Sequence, residues 1–255
     1  MQNLELMYEE KKLDGVITIF NFLAMLFHVS LAVLSSIFGD IEKTFNLYYP
    51  FTVFGDGETD AVSIKNGGTF PMTIIFISYF SVTAFFHFGN CCLWNHKYFC
   101  CLRKKRNPFR WAEYSITAPL MTSILAVISG SRNYILIIAA CVLTFSTISF
   151  GFALDDTKNF MYILYGMVPF LVEFGLITTS LYVSTDCYPS FIPITIFVEF
   201  GLWSLFPLVA VLDTFAISYE AGELLYIVLS FVSKSVLVII LMVEGVLKDG
   251  IVGTC

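Results

Sequence analysis

The sequence predicts an all-α membrane protein: a bundle of seven transmembrane helices with its N-terminus cytoplasmic and an extracellular β-hairpin between the first and second helices. Three observations predict it. The chain is 57% hydrophobic and 13% charged, with a mean hydropathy of +0.80, where a soluble domain carries about a quarter charged residues. Its apolar residues are clumped into runs at 15–38, 70–94, 108–131, 133–154, 159–185, 189–212 and 224–247, each close to the roughly 20 residues a helix needs to cross a bilayer. The basic residues are shared unevenly between the loops, which sets orientation. One bundle uses the whole chain, 1–255, as a single domain.

The first run follows "EEKKLD", exceeds the length of a signal-peptide core and lacks a small-residue cleavage pattern, so it is a span and not a leader. It contains His28. In the loop at about 40–69, "NLYYPFTVF" and "DAVSIK" are strand-like and "GDGETD" between them has turn chemistry, which together describe a hairpin. Its aromatic run is suited either to a lid over its own bundle or to contact with a second protomer. The second run carries His87 near its cytoplasmic end.

The loop "HKYFCCLRKKRNPFR" decides the orientation. With the N-terminus inside, the inner segments hold nine basic residues: Lys11, Lys12, Lys97, Arg103, Lys104, Lys105, Arg106, Arg110 and Lys158. The outer segments hold four, Lys43, Lys65, Arg132 and Lys248. Short loops rich in Lys and Arg stay inside, so the C-terminus is extracellular. Cys91, Cys92, Cys100 and Cys101 flank this loop, where thiols remain reduced. They are candidates for free thiols or reversible acylation. Cys92, His96 and Cys100 have the spacing of a metal triad without a fourth ligand, so no metal site is assigned. A Cys187–Cys255 bridge remains open.

The third run starts at a marked boundary. Asn107 is a good N-cap and Pro108 fits the first helical position. Glu113 then lies about 8 Å inside the helix from that end, at the level of His87. The fifth run contains Glu173 and the sixth Glu199, one turn before Trp203. In "FVEFGLWSLFPLVAVL", Trp203, Phe206 and Pro207 put two aromatics and a helix-breaking residue on roughly one face, a wall for an elongated apolar ligand. Glu199 is expected on that pocket face in the outer half. There it is either one end of a proton path or a hydrogen-bonded acid. For Glu173, a place at a protomer interface or inside the bundle is open.

The seventh run holds Lys234 at its centre, in "SFVSKSVLVII". A lysine at mid-membrane costs about 2.5–3.5 kcal/mol on the insertion scale. Helical side chains lean toward the N-terminus of their own helix, so its amine reaches toward the level of Glu113. A bare buried Lys–Glu pair is a poor structural device. A desolvated lysine is instead the residue that forms Schiff bases, and Glu113 supplies a counter-charge. A secondary transporter with Lys234 and the glutamates as its substrate site is a rival reading, but repeat symmetry and paired broken helices are not visible. A seven-helix receptor with an outer N-terminus conflicts with the charge count.

"LWSLFP" with a lysine in the middle of the seventh helix resembles the microbial rhodopsins, which hold retinal as a Schiff base. In "RWAEYSIT", Arg110, Glu113 and Thr117 match that family's third-helix arginine, counter-ion and threonine. Two positions depart from the pumps: Ser230 stands where they have an aspartate four residues before the lysine, and Ile124 stands where outward proton pumps have a carboxylate donor.

These departures, the cytoplasmic N-terminus, the long first loop and the histidines resemble the heliorhodopsins in particular. The resemblance implies a non-enzymatic photoreceptor with all-trans retinal on Lys234 and Glu113 as the counter-ion. Ser230, Thr117, Trp203, Phe206 and Pro207 would lie around the chromophore. It further implies a polar cavity with His28 and His87, although His28 also fits a plain core histidine. Arg110, Glu199 and Glu173 are further candidates for a proton path. The expected output is a gated passive proton conductance, as suggested for some viral members, or a pure light signal without transport. Expected partners are membrane lipid, a second copy in a homodimer and a cytoplasmic signalling protein, with no nucleic acid.

Overall fold

A computed structural model describes the backbone of residues 2–53, 61–184, 188–244 and 246, and the side chains of residues 11–48, 64–183, 188–244 and 246. The hairpin turn at 55–60, Cys187, Lys248 and Cys255 therefore lie outside the described residues. Helix α1 (Gln2–Phe38) leads into an antiparallel pair, β1 (Phe45–Val53) and β2 (Ala61–Phe70). Then come α2 (Met72–Phe88), α3 (Asn95–Arg103), α4 (Pro108–Ile128), α5 (Tyr134–Thr157), α6 (Met161–Ser184), α7 (Phe191–Phe215) and α8 (Tyr219–Val243). Seven of these helices, all but α3, are long and apolar enough to cross a membrane. The chain is thus an integral, multi-pass membrane protein.

Successive spans touch one another, α1 to α2, α2 to α4, and onward to α7 and α8, and α8 returns to α1 to close the bundle. The third span, α4, is the most enclosed, with every residue from Met121 to Ile128 buried. Outward faces are apolar too: Ile135, Ile138, Val142 and Phe145 on α5 are exposed, as lipid-facing positions must be, since every polar backbone group is satisfied inside the helix.

The start of α4 follows the sequence. Asn107 Oδ1 accepts from Arg110 N at 3.1 Å and Pro108 takes the first helical position. Helix α5 is capped by Asn133 and α8 by Ser218, whose Oγ accepts from Ala221 N at 3.2 Å.

The hairpin pairs Phe45 with Phe70 and Val53 with Ala61. Its one irregularity falls between Leu47 and Tyr48, where Gly67 is the extra residue. The neighbouring Gly68 has φ of 100°, a left-handed conformation suited to glycine at a bulge. The hairpin base rests on its own bundle. Tyr48 N donates to Arg132 O at 2.7 Å, and the Arg132 guanidinium lies 4.8 Å from the Phe45 ring centre. The base is thus a cover over the α4–α5 turn.

The basic segment differs from the expected loop. After α2 the chain widens into a π-helical turn, Gly89–Leu93, and α3 follows. Trp94 Nε1 donates to Asn90 Oδ1 at 2.9 Å, and its indole lies where a side chain on Gly89 would begin, 1.8 Å from the ideal Cβ. Tyr98, Phe99 and Leu102 form the buried face of α3. Three apolar residues among basic ones were too few to register as a helical stripe. The bundle therefore has a basic end, bearing α3, and a hairpin end.

Candidate functional site

Lys234 sits in α8, 3% exposed. Its Nζ donates to Glu113 Oε1 at 2.5 Å and to Thr83 Oγ1 at 2.8 Å, bringing α8, α4 and α2 to one point. The Tyr114 ring centre lies 5.5 Å from the same nitrogen. Excellent geometry and extra hydrogen bonds are the conditions under which a buried pair repays its desolvation, and Thr83 provides one of them. Thr117, one turn beyond Glu113, donates to the Glu113 carbonyl at 3.1 Å.

Beside the pair, His28 and His87 stack with ring centres 5.6 Å apart and planes 16° from parallel. His28 Nδ1 lies 2.7 Å from Ala24 O. A carbonyl can only accept, so this nitrogen carries the hydrogen. His87 Nδ1 lies 2.8 Å from Asn21 Oδ1, and Asn21 Nδ2 donates to Ile17 O at 3.0 Å, which fixes the amide orientation. His87 is therefore also a δ-tautomer when neutral. Both Nε2 atoms are left as buried lone pairs without a hydrogen-bond partner.

Lys234 also lines an elongated cavity with about 960 Å³ of space free of protein atoms, its open mouth included. From α7, Trp203, Phe206 and Pro207 line it as expected, together with Thr117 and Ser230. Trp111, Tyr114 and Tyr226 complete the aromatic wall. Gly151 in α5 makes room for Trp111, since a Cβ there would stand 2.4 Å from the ring. Pro207 lacks the N–H that would bond the carbonyl of residue 203, so the turn bearing Trp203 is short of one helical hydrogen bond.

Glu199 differs from its expected placement, and for Glu173 one of two open placements is found. Glu199 is fully buried with both carboxyl oxygens unpartnered, yet it is not among the cavity-lining residues. Tyr79 of α2 is also fully buried, and its hydroxyl approaches the Lys234 carbonyl at 3.5 Å. Glu173 is in the interior and not on an outer face. It is fully buried, lines the cavity and accepts from Thr122 Oγ1 at 2.8 Å.

Sequence reasoning missed a second ionic centre at the basic end. Arg110, counted above among loop charges, is 4% exposed. Its guanidinium donates to Glu223 Oε2 at 2.7 Å, lies 3.7 Å from Asp155 and stands 3.8 Å over the Tyr226 ring centre. Asn107 Nδ2 and Tyr98 Oη also donate to Glu223, at 2.7 and 2.8 Å. Asp155 accepts from Tyr219 Oη, Trp111 Nε1 and the Asn107 backbone. Through Tyr98 this centre touches Asn21 at 3.5 Å and so reaches the histidine pair. Among the described residues no group of three or more His, Cys, Asp or Glu side chains is placed to hold a metal ion.

The comparisons agree with this geometry. The sequence model described as heliorhodopsin matches residues 17–246. The fold is similar to the transmembrane domain of a rhodopsin phosphodiesterase from Salpingoeca rosetta, with a TM-score of 0.66 at 14% identity, covering 97% of this chain and 89% of that one. It is also similar to a cyanorhodopsin from Tolypothrix sp. NIES-4075, with a TM-score of 0.63 at 11% identity over 93% of this chain and 98% of that one. A thermophilic rhodopsin from Rubrobacter xylanophilus gives 0.61 at 15% identity over 91% and 94%. The chain matches none of the curated protein sequences.

The basic-end centre generates a stability prediction. Arg110→Gln leaves Glu223 and Asp155 without their shared cation, and breaking such a buried pair costs about 3–5 kcal/mol. Thermal unfolding in detergent should show a marked fall in midpoint for Arg110→Gln. The double variant Arg110→Gln, Glu223→Gln should recover part of it. Equal midpoints for the wild type and the single variant would contradict a structural role.

Proposed function

The chain belongs to the heliorhodopsin family, and from that premise we propose that Lys234 holds its chromophore and Glu113 balances the charge there. Membership makes the chain a photoreceptor with a retinal chromophore and not an enzyme. The assignment of Lys234 rests on one observation: a buried amine, 2.5 Å from a buried carboxylate, in the wall of an elongated, nearly apolar cavity. The residues fit the group. Lys234 is the one buried lysine among the described residues, and the aromatics of α4, α7 and α8 suit a flat polyene. All-trans retinal, linked at Lys234 Nζ, supplies absorption of visible light and isomerisation about a double bond.

The chain's own residues do the rest. Glu113 Oε1, already hydrogen-bonded to Nζ, takes up its proton, and Thr83 Oγ1 holds the nitrogen in place. The Nε2 lone pairs of His28 and His87 are the next acceptors. Ser230 adds no second negative charge. Trp203 meets any change of ligand shape at the turn that Pro207 weakens, so the response passes into α7.

The transport consequence of this reading is a passive proton conductance and not a pump. Buried Ile124 cannot act as a donor, and Ser230 removes one acceptor. Toward the hairpin end, Tyr79 and the unpartnered Glu199 offer an ionisable stop within the membrane. Toward the basic end, protons must pass the Arg110 centre, which is closed by its ion pairs. Light therefore has to loosen that centre before current flows. The charge distribution supports the orientation in which the basic end and the N-terminus are cytoplasmic.

Three tests follow. Protein made with all-trans retinal should gain a visible absorption band that hydroxylamine bleaches under light. Lys234→Ala should be expressed but colourless. Glu113→Gln should shift the band and alter its alkaline titration, since losing a buried partner disfavours the charged form. A spectrum and titration unchanged from the wild type would move the counter-ion elsewhere. In voltage-clamped cells the photocurrent should reverse sign with the proton electrochemical gradient, and Glu199→Gln should abolish it with the colour nearly intact. A current of one sign at all voltages means a pump, and none under any gradient means a pure sensor. For orientation, antibody should reach an N-terminal epitope tag only in permeabilised cells, and a tag within the hairpin turn at 55–60 in intact ones.

A further inference from the structure

Most polar groups of the interior belong to the Lys234 site or to the basic-end centre. One cluster belongs to neither. Thr144 of α5 and Glu173 of α6 line the cavity among Met121, Met167 and Phe170, and Thr122 of α4 meets them from behind the wall. The two hydroxyls lie 2.7 Å apart, Thr144 Oγ1 lies 3.0 Å from Ala140 O, and Thr122 Oγ1 lies 2.8 Å from Glu173 Oε1. Glu173 Oε2 is buried and has no hydrogen-bond partner, and Glu173 makes no ion pair among those of the described residues. The side chain is fully buried and lines the cavity.

The cluster is far from the amine. Thr122 follows Glu113 by nine residues on the same helix, about 13 Å of helix rise. A ligand attached at Lys234 and extending through the cavity would bring its far end toward Glu173, among Met121, Phe170 and Trp203. Pockets that are mostly apolar fix orientation and choose between ligands with a few convergent polar groups. Unmodified retinal ends in a hydrocarbon ring and offers Oε2 nothing. A hydroxyl on that ring can both donate and accept, so it meets a carboxyl oxygen in either protonation state.

We propose that the Glu173 cluster is a subsite for an oxygenated ring, so that the cavity selects a ring-hydroxylated retinal over unmodified retinal. The proposal rests on the reading of Lys234 as the attachment point. It adds a selecting residue at the other end of the same cavity. A site built to hydrogen-bond a hydroxyl disfavours the analogue that lacks it, because its own buried group is then left unpaired.

Competition tests it. Apoprotein is offered equal, limiting amounts of all-trans-retinal and all-trans-3-hydroxyretinal, and in a second series all-trans-4-hydroxyretinal. The aldehydes retained on the protein are then extracted and separated by chromatography. The wild type should retain one of the hydroxylated forms about fivefold over retinal, the worth of one net hydrogen bond. Glu173→Gln should keep most of the preference and Glu173→Leu should bring the ratio near one. Equal uptake or a preference for retinal by the wild type overturns the proposal without any variant, and so does a preference that survives Glu173→Leu. No visible band with any of the three aldehydes overturns the retinal reading and this proposal with it.

Discussion

The bundle is arranged around a charge that the membrane would otherwise expel. Lys234 lies at mid-membrane, and an amine there is tolerated only with a carboxylate and a hydroxyl in contact, which Glu113 and Thr83 supply. Those partners are on α4 and α2, so the lysine ties three spans together at one level. Much of the remaining sequence follows from keeping that level fixed. Asn107 and Pro108 set where α4 begins and hence how deep Glu113 lies. Thr117 and the aromatic residues around the amine keep water and alternative partners away. With Ser230 four residues before the lysine, the amine is left with a single carboxylate partner, Glu113, among the ion pairs of the described residues.

The two ends of the bundle treat charge differently. At the basic end, Arg110 is shared between Glu223 and Asp155 and surrounded by Tyr98, Tyr219, Tyr226 and Trp111. Helices α3, α4, α5 and α8 each contribute a polar side chain, and the short helix α3 is held in place by Tyr98. At the hairpin end, Glu199 stands without any hydrogen-bond partner. A satisfied network is rigid, while an unpartnered buried acid is free to form whatever bond a rearrangement offers. On the proposed reading, this asymmetry would put the slow step of any proton movement at the Arg110 centre and not at Glu199.

Much of this was legible in the sequence, and the misses have a common cause. Seven spans, the hairpin, the Asn107 cap and the approach of Lys234 to Glu113 follow from hydropathy, turn chemistry and helical rise alone. Asp155 and Glu223 were lost because each stands one residue beyond a span whose edge had been drawn at the first charge. A charge at the end of an apolar run looks like a loop residue until its partner on another helix is known. Arg110 was read as the third-helix arginine, but with Asp155 and Glu223 left outside the spans its two carboxylate partners were not visible. Helix α3 was hidden because its buried face is only Tyr98, Phe99 and Leu102 amid lysines and arginines. Glu199 was placed on the cavity face by its spacing from Trp203; it lies beside Trp203 but behind the residues that line the cavity.

Coupling between the light-sensitive centre and the surface needs a physical connection, and the structure offers one that contains no retinal contact at all. His87 is bonded to Asn21, Asn21 to Tyr98, and Tyr98 to Glu223. A proton arriving at the histidine Nε2 atoms changes the charge beside Asn21 and so the pull on Tyr98, which belongs to α3 and not to a span. Helix α3 exposes Lys97 to the surface, while its Arg103 is paired with Asp14 of α1 at 2.7 Å. Because the same tyrosine also anchors Glu223, movement of α3 and loosening of the Arg110 centre are one event. A light signal at the surface and a proton leak through the bundle would then be two readings of a single rearrangement, separated only by whether Glu199 completes a path to the opposite side.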